Sequence, residues 1–146
     1  AAERDSLWDI RRQISPAIYN ISPVKVSEDI CIPRSKVVEL LRKLGEVAKR
    51  HGVRIASYGH LGDGNLHVNI LGERTVNPRE KFKPVISEIF ETTLKLGGSI
   101  SGEHGIGLVK KEFLEKEIGR TEIGLMRQIK QVFDPKGILN PGKIFI

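Results

Sequence analysis

Two β-prone runs, VRIASYGH (53–60) and NLHVNILG (65–72), flank the four residues LGDG, and this arrangement constrains the fold more than any other feature of the chain. Runs of this kind around an Asp-Gly turn signal form an antiparallel hairpin. A lone hairpin is barely stable in water, so other elements must cover one of its faces. A third β-prone run, VKVSEDICIP, stops at Pro33. RSKVVELLRKLGEVAKRHG puts Val37, Leu40, Leu41, Leu44 and Val47 on one helical face, with basic residues in the last turn and Gly52 as its stop. A second long helix is expected over NPREKFKPVISEIFETTLKLGG, capped by Asn77, with Pro78 at its first position and Phe82, Ile86, Ile89, Phe90 and Leu94 inward.

The opening ERDSLWDIRRQISPAIYNI spaces Leu7, Ile10, Ile14 and Ile18 as an amphipathic helix disturbed near Pro16. The glycine-broken SISGEHGIG provides a short fourth strand, and two helices split around Gly119 follow, the second capped by Thr121. KGILNPGKIFI is a tail of turns and apolar residues. Together these elements define an α+β fold, a mostly antiparallel sheet with helices packed on one face. A length of 146 residues suits one domain. With only two alanines before the first helix, the chain reads as a fragment.

Composition narrows the function. The net charge of +6 would suit nucleic acid, but basic residues alternate with acidic ones, as in VKKEFLEKEIGR, which marks a solvated face. Aromatics at 5% are too few for base-stacking platforms, whereas a mild positive balance suits small carboxylate substrates. No apolar run is long enough to span a bilayer, and the single cysteine, Cys31, reads as a packed core thiol. A soluble intracellular protein is expected, cytoplasmic or peripheral to the inner membrane.

The chemistry concentrates in two glycine-rich motifs. A symmetric hairpin opposes Leu61 to Leu66 or Asn65 and sets His60 opposite or diagonal to His67, with Asn69 on the same face. Gly62 and Gly64 are expected to supply positive φ at the turn. Directly opposed Cβ atoms lie about 4.5 to 5.5 Å apart, close enough for two imidazoles to share one metal. They can equally bond each other or a backbone carbonyl. A third ligand is offered by Glu103 in GGSISGEHGIG, giving two histidines and a carboxylate, a recurrent set for zinc and other first-row ions. Such an ion lowers the pKa of a bound hydroxyl, and His104 beside Glu103 has the right character to take the proton. His51, in the basic end of a helix, reads as a solvated or capping residue.

YGHLGDGNLHVNI, GGSISGEHGIGLVKKEFL and FDPKGILNPGKIF together resemble the C-terminal substrate (cap) domain of FAD-linked oxidases of the vanillyl-alcohol oxidase type. That group includes D-lactate dehydrogenases, D-2-hydroxyglutarate dehydrogenases and the glycolate oxidase flavoprotein subunit. The resemblance covers nearly the whole chain, so residues 1–146 are expected to be the C-terminal part of a cap domain whose FAD-binding domain is absent. It implies His60, His67 and Glu103 as metal ligands, with zinc the expected ion, and His104 as the active-site base. It also implies Asn69 as a pocket residue, Arg11 as the carboxylate clamp and Ser15 as a nearby hydroxyl. Lys25 is a further anion contact that registers less cleanly, and Asn140 in the returning tail would touch the cofactor or form a plain turn.

The activity so implied is oxidation of a D-2-hydroxy acid to the 2-keto acid by hydride transfer to FAD. The glycines of GHLGDGNLH open a strand and not a helix, so no helix N-terminus meets a pyrophosphate. This chain alone is therefore expected neither to hold FAD tightly nor to turn over substrate. Its expected partners are the small hydroxy acid, the enzyme's own FAD-binding domain and a second copy, through apolar surface that domain would cover. The competing readings are a stand-alone metallohydrolase and a non-catalytic metal-binding module.

Overall fold

The computed structural model describes residues 2–145, with side chains from residue 4. Helix α1 (Ala2–Ile21) leads into strand β1 (Val24–Cys31), a 3₁₀ turn (Arg34–Lys36) and helix α2 (Val37–His51). Strands β2 (Arg54–His60) and β3 (Asn65–Gly72) form the hairpin, followed by α3 (Pro78–Lys81) and α4 (Lys83–Lys95). After the glycine-rich loop come a 3₁₀ turn (Lys111–Phe113), α5 (Leu114–Glu117) and α6 (Arg120–Phe133). The architecture is the expected α+β one, with a three-stranded antiparallel sheet in the order β1-β3-β2.

β3 is central, and its alternation divides the molecule. Leu66, Val68 and Ile70 join Ile30 and Val26 of β1 in a core closed by α2 and α4. That core holds Leu40, Leu44 and Val47 of α2 and Ile86, Ile89 and Phe90 of α4. Phe90 meets Phe113 edge-on at a centroid distance of 5.0 Å, tying the chain after the glycine loop to the same core. Glu28 is buried at an apolar-face position of β1 and forms an ion pair with Arg79 of α3.

Several local expectations change. Helix α1 runs unbroken through Pro16, which interrupts its hydrogen bonding locally without ending it. The expected second long helix divides at Phe82 into α3 and α4, and the Asn77 side chain makes no capping bond. The fourth strand shrinks to a bridge between Cys31 and Ser99. Gly119, not Thr121, caps α6. Leu41 is exposed on α2, and Cys31 is only half-buried because β1 ends there.

In the hairpin loop the N–H groups of Asp63 and Gly64 both bond His60 O, so Leu61 falls in the turn and Leu66 opposes Gly59. Gly64 takes φ +77°, while Gly62 is not among the positive-φ glycines. The Gly64 carbonyl accepts from Ile32 N at 3.0 Å, pinning the hairpin tip to the exit of β1. A Cβ at Gly64 would lie 2.0 Å from Ile32 O. Among the described residues no helix is long and apolar enough to cross a membrane.

Candidate active site

The sheet face opposite α2 and α4 carries the polar residues. His67 lies at its centre, opposite Asp29 of β1 and Tyr58 of β2. His60, two residues beyond Tyr58, is diagonal to His67, with ring centroids 6.2 Å apart. Asn69 follows on the same face, fully buried; its Nδ2 donates to Ala56 O at 3.0 Å and its Oδ1 has no partner among the described residues. Burial holds the His67 imidazole below its ordinary pKa against the opposing pull of Glu103, so the ring favours the neutral form that ligates metals.

The glycine-rich loop brings Glu103 and His104 to this face. Glu103 Oε1 stands 3.2 Å from His67 Nε2 and 3.5 Å from His104 Nε2. One ligating atom from each of the three residues fits within a mutual 4.8 Å, and the His67 and His104 rings tilt together at 5.6 Å. The loop is fastened from below. Asp29 Oδ2 accepts from the backbone N–H groups of Gly102, Glu103 and His104 at 2.8, 2.7 and 3.0 Å. Its Oδ1 pairs with buried Lys110 and lies 3.1 Å from His104 Nδ1. Burial alone would raise the Asp29 pKa, but the His104 N–H, the Lys110 ammonium and the Glu103 N–H overcome it and hold the carboxyl well below the usual range.

Helix α1 crosses the open side. Arg11 Nη2 lies 3.0 Å from His60 Nε2, and its guanidinium stacks on Trp8. Lys25 Nζ donates to Ser15 Oγ at 2.8 Å and sits 4.4 Å from the Tyr19 ring centroid. Two cations, three histidines, the carboxylates of Glu103 and buried Asp29, and an asparagine thus lie on or against one face. Imidazoles and a carboxylate can hold a divalent ion or move a proton, and the cations can hold an anion.

Residues 1–144 match the family model for FAD linked oxidases, C-terminal domain. The chain belongs to this family. It is 36% identical over 144 residues to a glycolate oxidase subunit GlcD of Bacillus subtilis, covering 98% of this chain and 31% of that protein. It is 41% identical over 145 residues to a D-2-hydroxyglutarate dehydrogenase of Stutzerimonas stutzeri, covering 96% and 31%. A D-lactate dehydrogenase of Archaeoglobus fulgidus is 44% identical over 117 residues, covering 80% and 26%. The chain therefore spans about a third or less of the length of these relatives.

Within this FAD-linked oxidase domain, the structure gathers His67, Glu103 and His104, sets His60 and Asn69 beside them on the sheet and Arg11 against His60, and leaves Ser15 with Lys25 four residues along β1 from Asp29. His60 lies outside the tight group, its Nε2 facing Arg11. Asn140 sits in a tail turn at φ +48°, where its carbonyl accepts from Lys143 N at 3.3 Å. The tail itself is tied to the glycine loop by Ile144 N donating to Gly107 O at 2.7 Å. Sequence reasoning missed Asp29, Lys110 and Tyr58. The signal for Asp29 was present: two successive carboxylates inside a strand put one on each face, and both need partners.

Proposed function

We propose that this domain forms the substrate side of a flavin-dependent dehydrogenase or oxidase that converts a D-2-hydroxy acid of the glycolate, lactate or hydroxyglutarate type into the 2-keto acid. The observation that carries this reading is the convergence of His67, Glu103 and His104 on a face that also bears Arg11 and Lys25. The donor set suits a first-row divalent ion such as zinc: the His67 imidazole and the Glu103 carboxylate stand 3.2 Å apart, and burial favours neutral His67. His67 and Glu103 would hold the ion. His60, its ring 6.2 Å from that of His67 and its Nε2 on Arg11, would be the third donor. Bound there, the metal would supply Lewis-acid polarisation of the 2-hydroxyl oxygen.

The chain's own groups do the rest. Arg11 grips the carboxylate through two parallel N–H bonds, with Lys25 and Ser15 as the second anion contact. Asn69 lies fully buried on the same face, its Oδ1 without a partner among the described residues. An anionic Asp29 oxygen can only accept, so His104 Nδ1 carries the proton and Nε2 is left basic for the substrate hydroxyl. The flavin, held by the remainder of the protein with Asn140 as a contact from this chain, supplies the hydride acceptor.

The test is anaerobic flavin reduction in the full-length protein. D-lactate, D-2-hydroxyglutarate or glycolate should bleach the flavin, L-lactate should not, and His104→Ala should slow the productive reaction by about 10²- to 10⁴-fold. A flavin-loaded protein that none of the three acids reduces would overturn the reading.

A further inference from the structure

We propose that Asp29 is a positioning residue of this site: its buried carboxylate holds the loop bearing Glu103 and His104 and sets that loop's distance from His67. The inference rests on the roles given to Glu103 and His104 above. Residues 102–105 are exposed, Gly105 and Gly107 adopt positive φ, and the loop's own Ser99–Ser101 bonds stop short of residues 102–104. Yet three successive backbone N–H groups, from Gly102, Glu103 and His104, converge on one Asp29 oxygen. Consecutive amides turned onto a single anion form a concave nest that fixes the backbone around it.

The anchor is itself immobile. Asp29 is 0% exposed, its carbonyl accepts from Lys110 Nζ at 2.8 Å, and its carboxylate is paired with the same ammonium. It is the direct cross-strand partner of His67. The loop is therefore placed against His67 by strand register, with Asp29 transmitting the position. From the other side the loop rests on Asn65: a Cβ at Gly102 would fall 2.3 Å from Asn65 Oδ1. Asp29 touches neither the substrate groups Arg11 and Lys25 nor the open side of the face, so its contribution passes through Glu103 and His104.

Two measurements on the full-length flavoprotein test the proposal. Amide hydrogen exchange of the metal-free wild type should show the segment containing residues 102–104 protected despite its exposure; exchange at the rate of a free loop would overturn the clamp. Zinc affinity, from competition with a chelator, should fall about 10- to 100-fold in Asp29→Asn that still carries stoichiometric FAD. The same variant should lose kcat with little change in KM, because Arg11 and Lys25, the groups assigned to the substrate carboxylate, are untouched. Wild-type zinc affinity and kcat in that variant would overturn the positioning role. His67→Ala is the control for the underlying reading. If the wild type binds no zinc, or His67→Ala binds it normally, the metal assignment fails, and the exchange pattern alone decides whether Asp29 holds the loop.

Discussion

One face of the sheet is closed by two helices and the other is crossed by one helix and a loop, although the same three strands build both. The covered face is held by many interchangeable contacts among Val, Ile, Leu and Phe, each proportional to area removed from water. The open face is held by a few directed bonds centred on Asp29, where losing one partner leaves a buried charge uncompensated. Side-chain alternation thus separates the core from the candidate site. Substitutions on the first face should act on folding, and those on the second mainly on binding and catalysis.

The largest effect should come from the covered face. Phe90 is fully buried and packed edge-on against Phe113, so Phe90→Ala removes a ring from both the sheet core and the chain beyond the glycine loop. A loss of about 3–5 kcal/mol in urea unfolding is expected. A loss under about 1 kcal/mol would mean that the core collapses around the cavity and that the contrast between faces is weaker than drawn.

Next is the hairpin tip that joins the faces. Gly64→Ala would force a side chain into the left-handed region, costing about 1–2 kcal/mol, and would drive its Cβ into the Ile32 carbonyl. Stability should fall by at least that amount, and zinc retention with it, since His60 and His67 flank this turn. Retained zinc in a destabilised but folded variant would separate the turn from the site.

A smaller effect lies in the pH dependence. His67 has a folded-state pKa below its ordinary 6.5, chiefly from burial. The unfolded chain binds the proton more tightly, so this contribution is fully present above pH 6.5 and is lost as pH falls through the depressed folded value. In metal-free protein, His67→Gln should flatten that slope. Glu28 acts in the opposite sense, because burial raises its pKa and its ionisation above pH 4.5 costs stability despite Arg79. An unchanged slope in His67→Gln would show that the ring is solvated.

Much of this division was legible in the sequence, for physical reasons. Alternation in NLHVNILG placed His67 and Asn69 together, and the apolar period of α2 and α4 announced the covered face. The hairpin pairing was less legible, because a four-residue loop admits more than one closure and Asp63 N and Gly64 N both chose His60 O. Arg11 over His60 and Asp29 under residues 102–104 join positions 49 and 73–75 apart, which no local pattern encodes. The fourth strand is cut to one bridge because residues 102–104 give their N–H groups to Asp29 and Gly105 and Gly107 leave the extended region.

The smallest effect tests whether apolar periodicity implies burial. Helix α1 has the same spacing as α2, yet Ile10 is 64% exposed while Leu44 is buried. The difference is the neighbour: α2 packs on α4 and β2, whereas α1 makes little contact with β1, pairs Ser15 with Lys25 and buries Ile18 alone of its stripe. An exposed side chain has little transfer energy to lose, so Ile10→Ser should change the unfolding free energy of this chain by less than about 0.5 kcal/mol. The helix-propensity difference between Ile and Ser is too small to alter that. Leu44→Ala in the same assay should cost about 2–5 kcal/mol. Comparable losses in the two variants would show that the α1 stripe is buried in solution, and the open face would then have a second cover.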